Sequence, residues 1–201
     1  MRRSRPDLVL ALLLTTLLAV PGCGEESSAG SDARTGGDGA GGGDGAGAGG
    51  SWTDPSSGLT WQTGTWATDV NAAQAIAYCD GLVLADHDDW RLPSISELRT
   101  LLRGCPETVA GGACPETDEC PGVGSDCYDG DACMGCESLK GPGEGGCYWP
   151  PEMTGLCDWY WSATPSDDPV GYTCFVHFGE AHLSHDMDQN GGAVHHALCV
   201  R

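Results

Sequence analysis

The chain of 201 residues predicts an α+β fold. Two helices are enclosed between an N-terminal strand and a C-terminal group of strands, so that the ends of the folded part meet in one small, mostly antiparallel sheet. Three observations predict this. Apolar and polar residues alternate at 58–62 and again beyond Cys157. Two sequences of capping-box character each open an apolar repeat at helical spacing. A glycine-rich stretch holding eight cysteines lies between the helices and the last strands.

The first strand is Gly58-Leu59-Thr60-Trp61-Gln62, set off by the turn-forming Asp54-Pro55-Ser56-Ser57. Asn71 with Gln74 three residues on opens the first helix. Val70, Ala73, Ile76, Ala77 and, beyond its end, Leu84 recur toward one side, and Asp80-Gly81 closes it. After Trp90-Arg91-Leu92-Pro93, Ser94 and Glu97 open the second helix; Ile95, Leu98, Leu101 and Leu102 form its apolar stripe, and Gly104 stops it. Strand character returns at 158–162, 172–178 and 195–201. In the middle strand Tyr172, Cys174, Val176 and Phe178 share one face while Thr173, Phe175 and His177 share the other, which turns Cys174 inward.

Composition narrows the function. There are 9 basic against 29 acidic side chains, a formal charge of -20. Beyond residue 51 the only basic residues are Arg91, Arg99, Arg103, Lys140 and Arg201, so no cationic face suits nucleic acid. Thirty-two glycines, twelve cysteines and two phenylalanines describe a small core that needs covalent bridges.

Residues 1–22 read as a lipoprotein signal peptide: Arg2, Arg3 and Arg5 precede an apolar run at 8–20 that is too short to span a bilayer. Val20-Pro21-Gly22-Cys23 resembles a bacterial lipobox, although Pro21 departs from the usual motif. The resemblance implies lipidation of Cys23 and, with Gly24 following, an outer-membrane address facing the periplasm or the cell surface. The anchor is then the only membrane contact. Residues 23–51 have the composition of a disordered Gly-rich tether with an r.m.s. reach of roughly 30 Å. The folded domain is 52–201.

The segments GLTWQ, AIAYCDGLVLADHDDWRLPSISELRTLL, YWSAT, CFVHFGE and LCVR resemble the Lcl C-terminal family, named after the C-terminal domain of a bacterial collagen-like adhesin. Asp89-Trp90-Arg91-Leu92-Pro93 with the downstream Tyr160-Trp161-Ser162 carries most of the likeness. A tryptophan before a helix that ends in cysteine, with a second cysteine in the last strand, is more distantly similar to C-type lectin-like domains. That likeness implies a Cys79–Cys199 disulfide closing the domain end to end. Asp89, Trp90, Arg91, Pro93 and Trp161 are read as a structural knot, in which the carboxylate and Arg91 satisfy backbone and charge while Trp90 packs.

Cys105, Cys114, Cys120, Cys127, Cys133, Cys136, Cys147 and Cys157 fall within 105–157, a disulfide-rich insertion without a core of its own. An oxidising compartment implies four bridges there, of open connectivity. Cys133-Met134-Gly135-Cys136 has the spacing of half a zinc site or a redox pair, but no second close pair accompanies it. With Cys23 lipidated, eleven cysteines remain, and one must stay unpaired. Cys174 is the candidate free thiol, because its strand pattern buries it and relatives carry an aromatic residue there. An inert thiol, an intermolecular bridge and a nucleophile are the readings open to it. His177 lies on the opposite strand face, which argues against a Cys–His dyad.

Asp186, Asp188 and Asn190 match the first half of a calcium loop, making Ca2+ the one candidate cofactor. Ala197 stands where the bidentate glutamate belongs, and the alternative is a solvated acidic hairpin. Asp86, Asp88 and Asp89 invite the same comparison. The histidines late in the chain read as exposed hairpin residues with one partly buried, and His195 and His196 point to opposite faces. The calcium-dependent sugar triplets of lectins are missing. The adhesin relatives are associated with sulfated glycosaminoglycans, but 52–201 carries five basic and twenty-three acidic residues. A neutral glycan or an envelope, host or prey surface protein suits Tyr148, Trp149, Trp159 and Tyr160 better, although most of these rings are read as core.

The expectation is thus a non-catalytic surface lipoprotein that binds or adheres. The alternatives are a calcium-stabilised structural module and a cysteine-dependent oxidoreductase akin to formylglycine-generating oxidases, which the resemblance brings in. Those enzymes need two close cysteines late in the chain, whereas Cys174 and Cys199 are far apart.

Overall fold

The local signals at 51–62 produce a short hairpin. β1 (Ser51–Thr53) pairs antiparallel with β2 (Thr60–Gln62), placing Trp52 opposite Trp61. The computed structural model describes residues 49–64, 69–122, 129–167, 171–187 and 192–201. The expected signal peptide, Cys23, nearly all of the expected tether, Cys127, Asp188 and Asn190 lie outside the described residues.

Both helices begin where their caps stand. α1 (Ala72–Asp80) has Asn71 as N-cap, accepting from the Gln74 amide at 2.9 Å while the Asn71 amide donates to Gln74 Oε1 at 3.0 Å. α2 (Ile95–Leu101) repeats this with Ser94 and Glu97. Each such cap is worth about 1 kcal/mol. The stripe of α2 is as expected: Ile95, Leu98, Leu101 and Leu102 are all buried.

The inward face of α1 differs from the sequence reading. Ala72, Ala75 and Cys79 are buried, whereas Ala73 and Ala77 are exposed and Ile76 is 41% exposed. The Cys79–Cys199 bond fixes the rotation of this helix, and alanines on the inner face let it sit close to the tryptophan-rich core. Apolar periodicity alone points to the bulkier neighbour.

The main sheet has the order β3-β4-β5, all antiparallel, formed by β3 (Trp159–Pro165), β4 (Tyr172–His177) and β5 (His182–Met187). Both faces of this sheet are covered. Tyr160, Cys174, Val176 and Leu183 join α2, Trp61 and Trp149 in one cluster; Trp161 and Phe175 join α1, Trp90 and Leu92 in the other. The alternation of β4 therefore serves two cores.

Two expectations are corrected here. β5 stands where the sequence predicts exposed hairpin histidines, because its His and Asp content hides its pairing; of the candidate calcium ligands only Asp186 is among the described residues. Residues 195–201 form bridges in place of a strand: Val70 with His195, Tyr160 with His196, and Val200 with both Trp61 and Arg91. Val200 sits between two partners that belong to no common sheet, so the chain meets β2 through Thr60–Arg201 and Gln62–Cys199 hydrogen bonds without completing one sheet.

Bridges organise the insertion. Cys105 pairs with Cys136, Cys114 with Cys133 and Cys147 with Cys157, and Cys120 is also disulfide-bonded. The two cysteines of Cys133-Met134-Gly135-Cys136 thus go to different partners. Between the bridges lie a single helical turn, α3 (Gly130–Cys133), capped by Asp129, and a 3-10 turn at Glu144–Gly146. Gly135, at φ +83°, is where the insertion touches the β4–β5 turn. A Cβ there would stand 2.1 Å from the Glu180 carbonyl oxygen, which accepts from the Cys136 amide at 2.7 Å.

Candidate functional site

Arg103 follows directly on α2 and reaches back to the β1–β2 turn. Its Nη2 donates to Asp54 Oδ2 at 3.2 Å and to Ser56 Oγ at 3.3 Å. Asp54 is buried and also accepts from the Ser56 amide, the Ser56 hydroxyl and the Ser57 hydroxyl. Burial opposes its ionisation, but these donors and Arg103 together hold the carboxyl below its ordinary range. The turn is a fixed polar wall.

Two open clefts adjoin along this wall and share Ser56 and Arg103. One, of about 440 Å³, continues over Thr100, Leu102, Val109 and Ala110. The other, of about 410 Å³, lies between Trp52, Pro55, Pro142, Pro150, Pro151 and Glu152. Each falls in the size range of small-ligand sites. The second offers a partly exposed indole, rigid proline rings and one exposed carboxylate.

Most of the aromatic residues whose type suits a ligand surface are core, in keeping with the sequence reading. Tyr148, Trp149 and Tyr160 are fully buried, with Trp149 packed against Tyr160 at 6.0 Å and Phe178 at 5.1 Å. Trp159 is partly buried, stacked between His177 at 4.2 Å and His195 at 5.9 Å, with His182 against its edge. The histidines are accordingly half-buried or buried, against the expectation of exposure. Burial lowers the pKa of His177, His182 and His195 below the ordinary imidazole value. His195 faces Asp186 and His196 faces Asp158, on opposite sides as expected. Asp186 is thus part of β5, 3.9 Å from an imidazole nitrogen.

The expected knot is real but differently wired. Trp90 packs and donates through Nε1 to the Leu84 carbonyl. Asp89 pairs with Arg201, and Arg91 forms a two-pronged bond to Glu97 with contacts of 2.6 and 2.5 Å. Arg91 thereby ties the knot to the cap of α2. Pro93 accepts from the Ala163 amide, and Trp161 donates to the Val70 carbonyl at 2.7 Å.

Two acidic groups of the insertion escape the sequence reading. Asp118 accepts from Ser94 Oγ, the Ser96 amide and Thr164 Oγ1, stapling the insertion to α2 and β3; burial works against this carboxylate, but these bonds keep it ionised. Glu116 is fully buried, and no ordinary hydrogen bond reaches either carboxylate oxygen. The groups acting on it are the Cys174 thiol, a weak donor, and Arg99. Burial pushes its pKa up to about 7. Arg99 itself donates to the carbonyls of Thr108, Val109 and Glu116. Cys174 is the one free thiol among the described residues; burial and the Glu116 carboxylate push it well above the ordinary thiol range. In the sequence Glu116 stands in the second of two Cys-Pro-Glu-Thr segments, at 105–108 and 114–117, but nothing along the chain links it to Cys174.

The family model of the Lcl C-terminal domain matches residues 50–201. No curated protein and no solved structure matches the chain.

Proposed function

From the premise that the chain belongs to the Lcl C-terminal domain family, we propose that it is a non-catalytic binding module of the cell envelope. It is held to the outer membrane by lipidated Cys23, displayed on the Gly-rich tether, and takes a neutral glycan. The observation that carries this reading is the pair of adjoining clefts over Ser56 and Arg103. Trp52 supplies a face for the apolar side of a sugar ring, the prolines keep the wall rigid, and Ser56, Arg103 and Glu152 supply donors and acceptors for hydroxyl groups.

The charge of the domain favours a neutral ligand over a sulfated one, because the surplus of carboxylates repels polyanions at long range. No reaction is assigned to the clefts: the Asp54 carboxylate is held ionised by four donor groups and does not serve as an acid. A C-type lectin-like arrangement is part of the proposal, supported by the Cys79–Cys199 bond that joins α1 to the last segment.

The test is an array of neutral glycans, heparin and envelope proteins probed with the chain. Neutral-glycan binding that Trp52→Ala weakens about 10-fold or more, at an unchanged circular dichroism spectrum, supports the reading. Preference for heparin, recognition of proteins alone, or indifference to Trp52→Ala overturns it.

A further inference from the structure

The two clefts over Ser56 and Arg103 continue into a further hollow. It has a volume of about 210 Å³ between Ser96, Arg99, Ala110, Gly111 and Thr117, and it shares Arg99 and Ala110 with the 440 Å³ cleft. That cleft in turn shares Ser56 and Arg103 with the 410 Å³ cleft, whereas the two outer hollows have no lining residue in common. The three therefore stand in a row, with the 440 Å³ cleft in the middle. α2 supplies the reason. Residues three and four apart are neighbours on a helix surface, so Ser96, Arg99 and Thr100 lie on one face, and Arg103 follows about a turn later. Resting on the glycan reading above and narrowing it, we propose that this row is one groove for a linear neutral oligosaccharide longer than a disaccharide, held along its length and not by its tip.

The dimensions call for a chain. From Ser96 to Arg103 the floor covers about 10 Å at the helical rise of about 1.5 Å per residue. The 410 Å³ cleft extends it past Pro142 toward Glu152. Each of the two larger clefts is of a size that encloses one small ligand, so a mono- or disaccharide fills one of them and only a longer chain reaches the next. They also meet at Gly104, which has φ +84° and lines the middle cleft. A Cβ there would stand 3.2 Å from the Pro142 ring in the wall of the other.

The walls are set before a ligand arrives, which limits the ordering cost of binding. Buried Arg99 donates to the carbonyls of Thr108 and Val109, and the Cys105–Cys136 bond anchors the start of that segment, fixing the Val109–Ala110 rim. Arg103 joins the two sides of the 410 Å³ cleft. Its amide donates to the Tyr148 carbonyl at 2.9 Å, while its Nη2 holds Asp54 and Ser56. Its Nη1 donates to the carbonyls of Thr100 and Leu102. The guanidinium fork that would grip a sulfate or carboxylate is thus already occupied within the protein, which fits an uncharged chain.

The experiment titrates the full chain by calorimetry with cello-, malto-, xylo- and manno-oligosaccharides from monosaccharide to hexasaccharide. In at least one series affinity should rise about 10-fold or more from disaccharide to tetrasaccharide, because contacts in the next hollow are made within an already bound chain. Ala110→Trp, at an exposed position between the middle cleft and the smallest hollow, should remove that gain, and Trp52→Ala should weaken every length about 10-fold or more, both at an unchanged circular dichroism spectrum. Affinity already complete at the disaccharide, a gain with length that survives Ala110→Trp, or no binding of any series overturns the groove. A neutral glycan found on the array and lost with Trp52→Ala then still upholds the glycan reading, whereas recognition of heparin or proteins alone removes both.

Discussion

Replacing Glu116 by glutamine should abolish one slope in the pH dependence of stability. The carboxyl is fully buried, and its pKa rises from 4.5 to about 7. A carboxyl whose folded-state value lies above its unfolded value binds its proton more tightly in the native state. Its contribution is therefore intact below pH 4.5 and is lost as pH rises through about 7. At about 1.4 kcal/mol per pKa unit, the ionised residue lowers stability by about 3 kcal/mol at pH 8.5 relative to pH 4.5. Glutamine has nearly the same shape and does not ionise, though its amide brings donors that cost about 1 kcal/mol at any pH when unpaired. The assay is urea unfolding of both proteins, disulfides intact, at pH 4.5 and pH 8.5. The difference between variant and parent should move by about 3 kcal/mol in favour of the variant on going to the higher pH; all other titrating groups cancel in that comparison. An equal difference at the two pH values refutes the claim that a protonated Glu116 is built into the core.

The histidines give the opposite slope. Burial lowers the pKa of His177, His182 and His195, so the stability that their neutral forms confer is complete above the unfolded value of 6.5 and is lost as pH falls below it. Imidazole titrations followed by NMR should place these groups below 6.5, and values above it would contradict their packing around Trp159. Removing the Cys79–Cys199 bond with paired alanines should cost up to about 5 kcal/mol in a chain-entropy model, against about 3 for Cys147–Cys157. The first spans 120 residues and the second 10, with other bridges nested in the first. Thermal melting of the two double variants gives the order, and a greater loss from the shorter loop would point to native-state packing as the controlling quantity.

What is legible in the sequence is local. The two capping boxes, the stop at Gly81 and the inward turn of Cys174 depend on contacts within a few residues, and each stands in the structure, whereas α2 ends at Leu101, before the expected stop at Gly104. The face of α1 is misread because its inner residues are alanines, whose small apolar signal is weaker than that of the exposed Ile76. β5 escapes notice because its histidines and Asp186 look solvated until Trp159, Tyr172 and the neighbouring strand cover them. The clefts combine Trp52, Arg103 and Pro150, which lie in three separate segments, and no spacing rule connects them.

By itself the sequence determined that this domain is acidic, mixed α and β, poor in core residues and dependent on sulfur bridges, because charge, cap chemistry and cysteine number are properties of composition and of neighbours along the chain. Only the tertiary structure decided which cysteines pair, that both faces of the main sheet are buried, and that Glu116 is buried beside the Cys114–Cys133 bond. Those outcomes depend on contacts between distant segments, where packing, and not the order of residues, settles which group stands beside which.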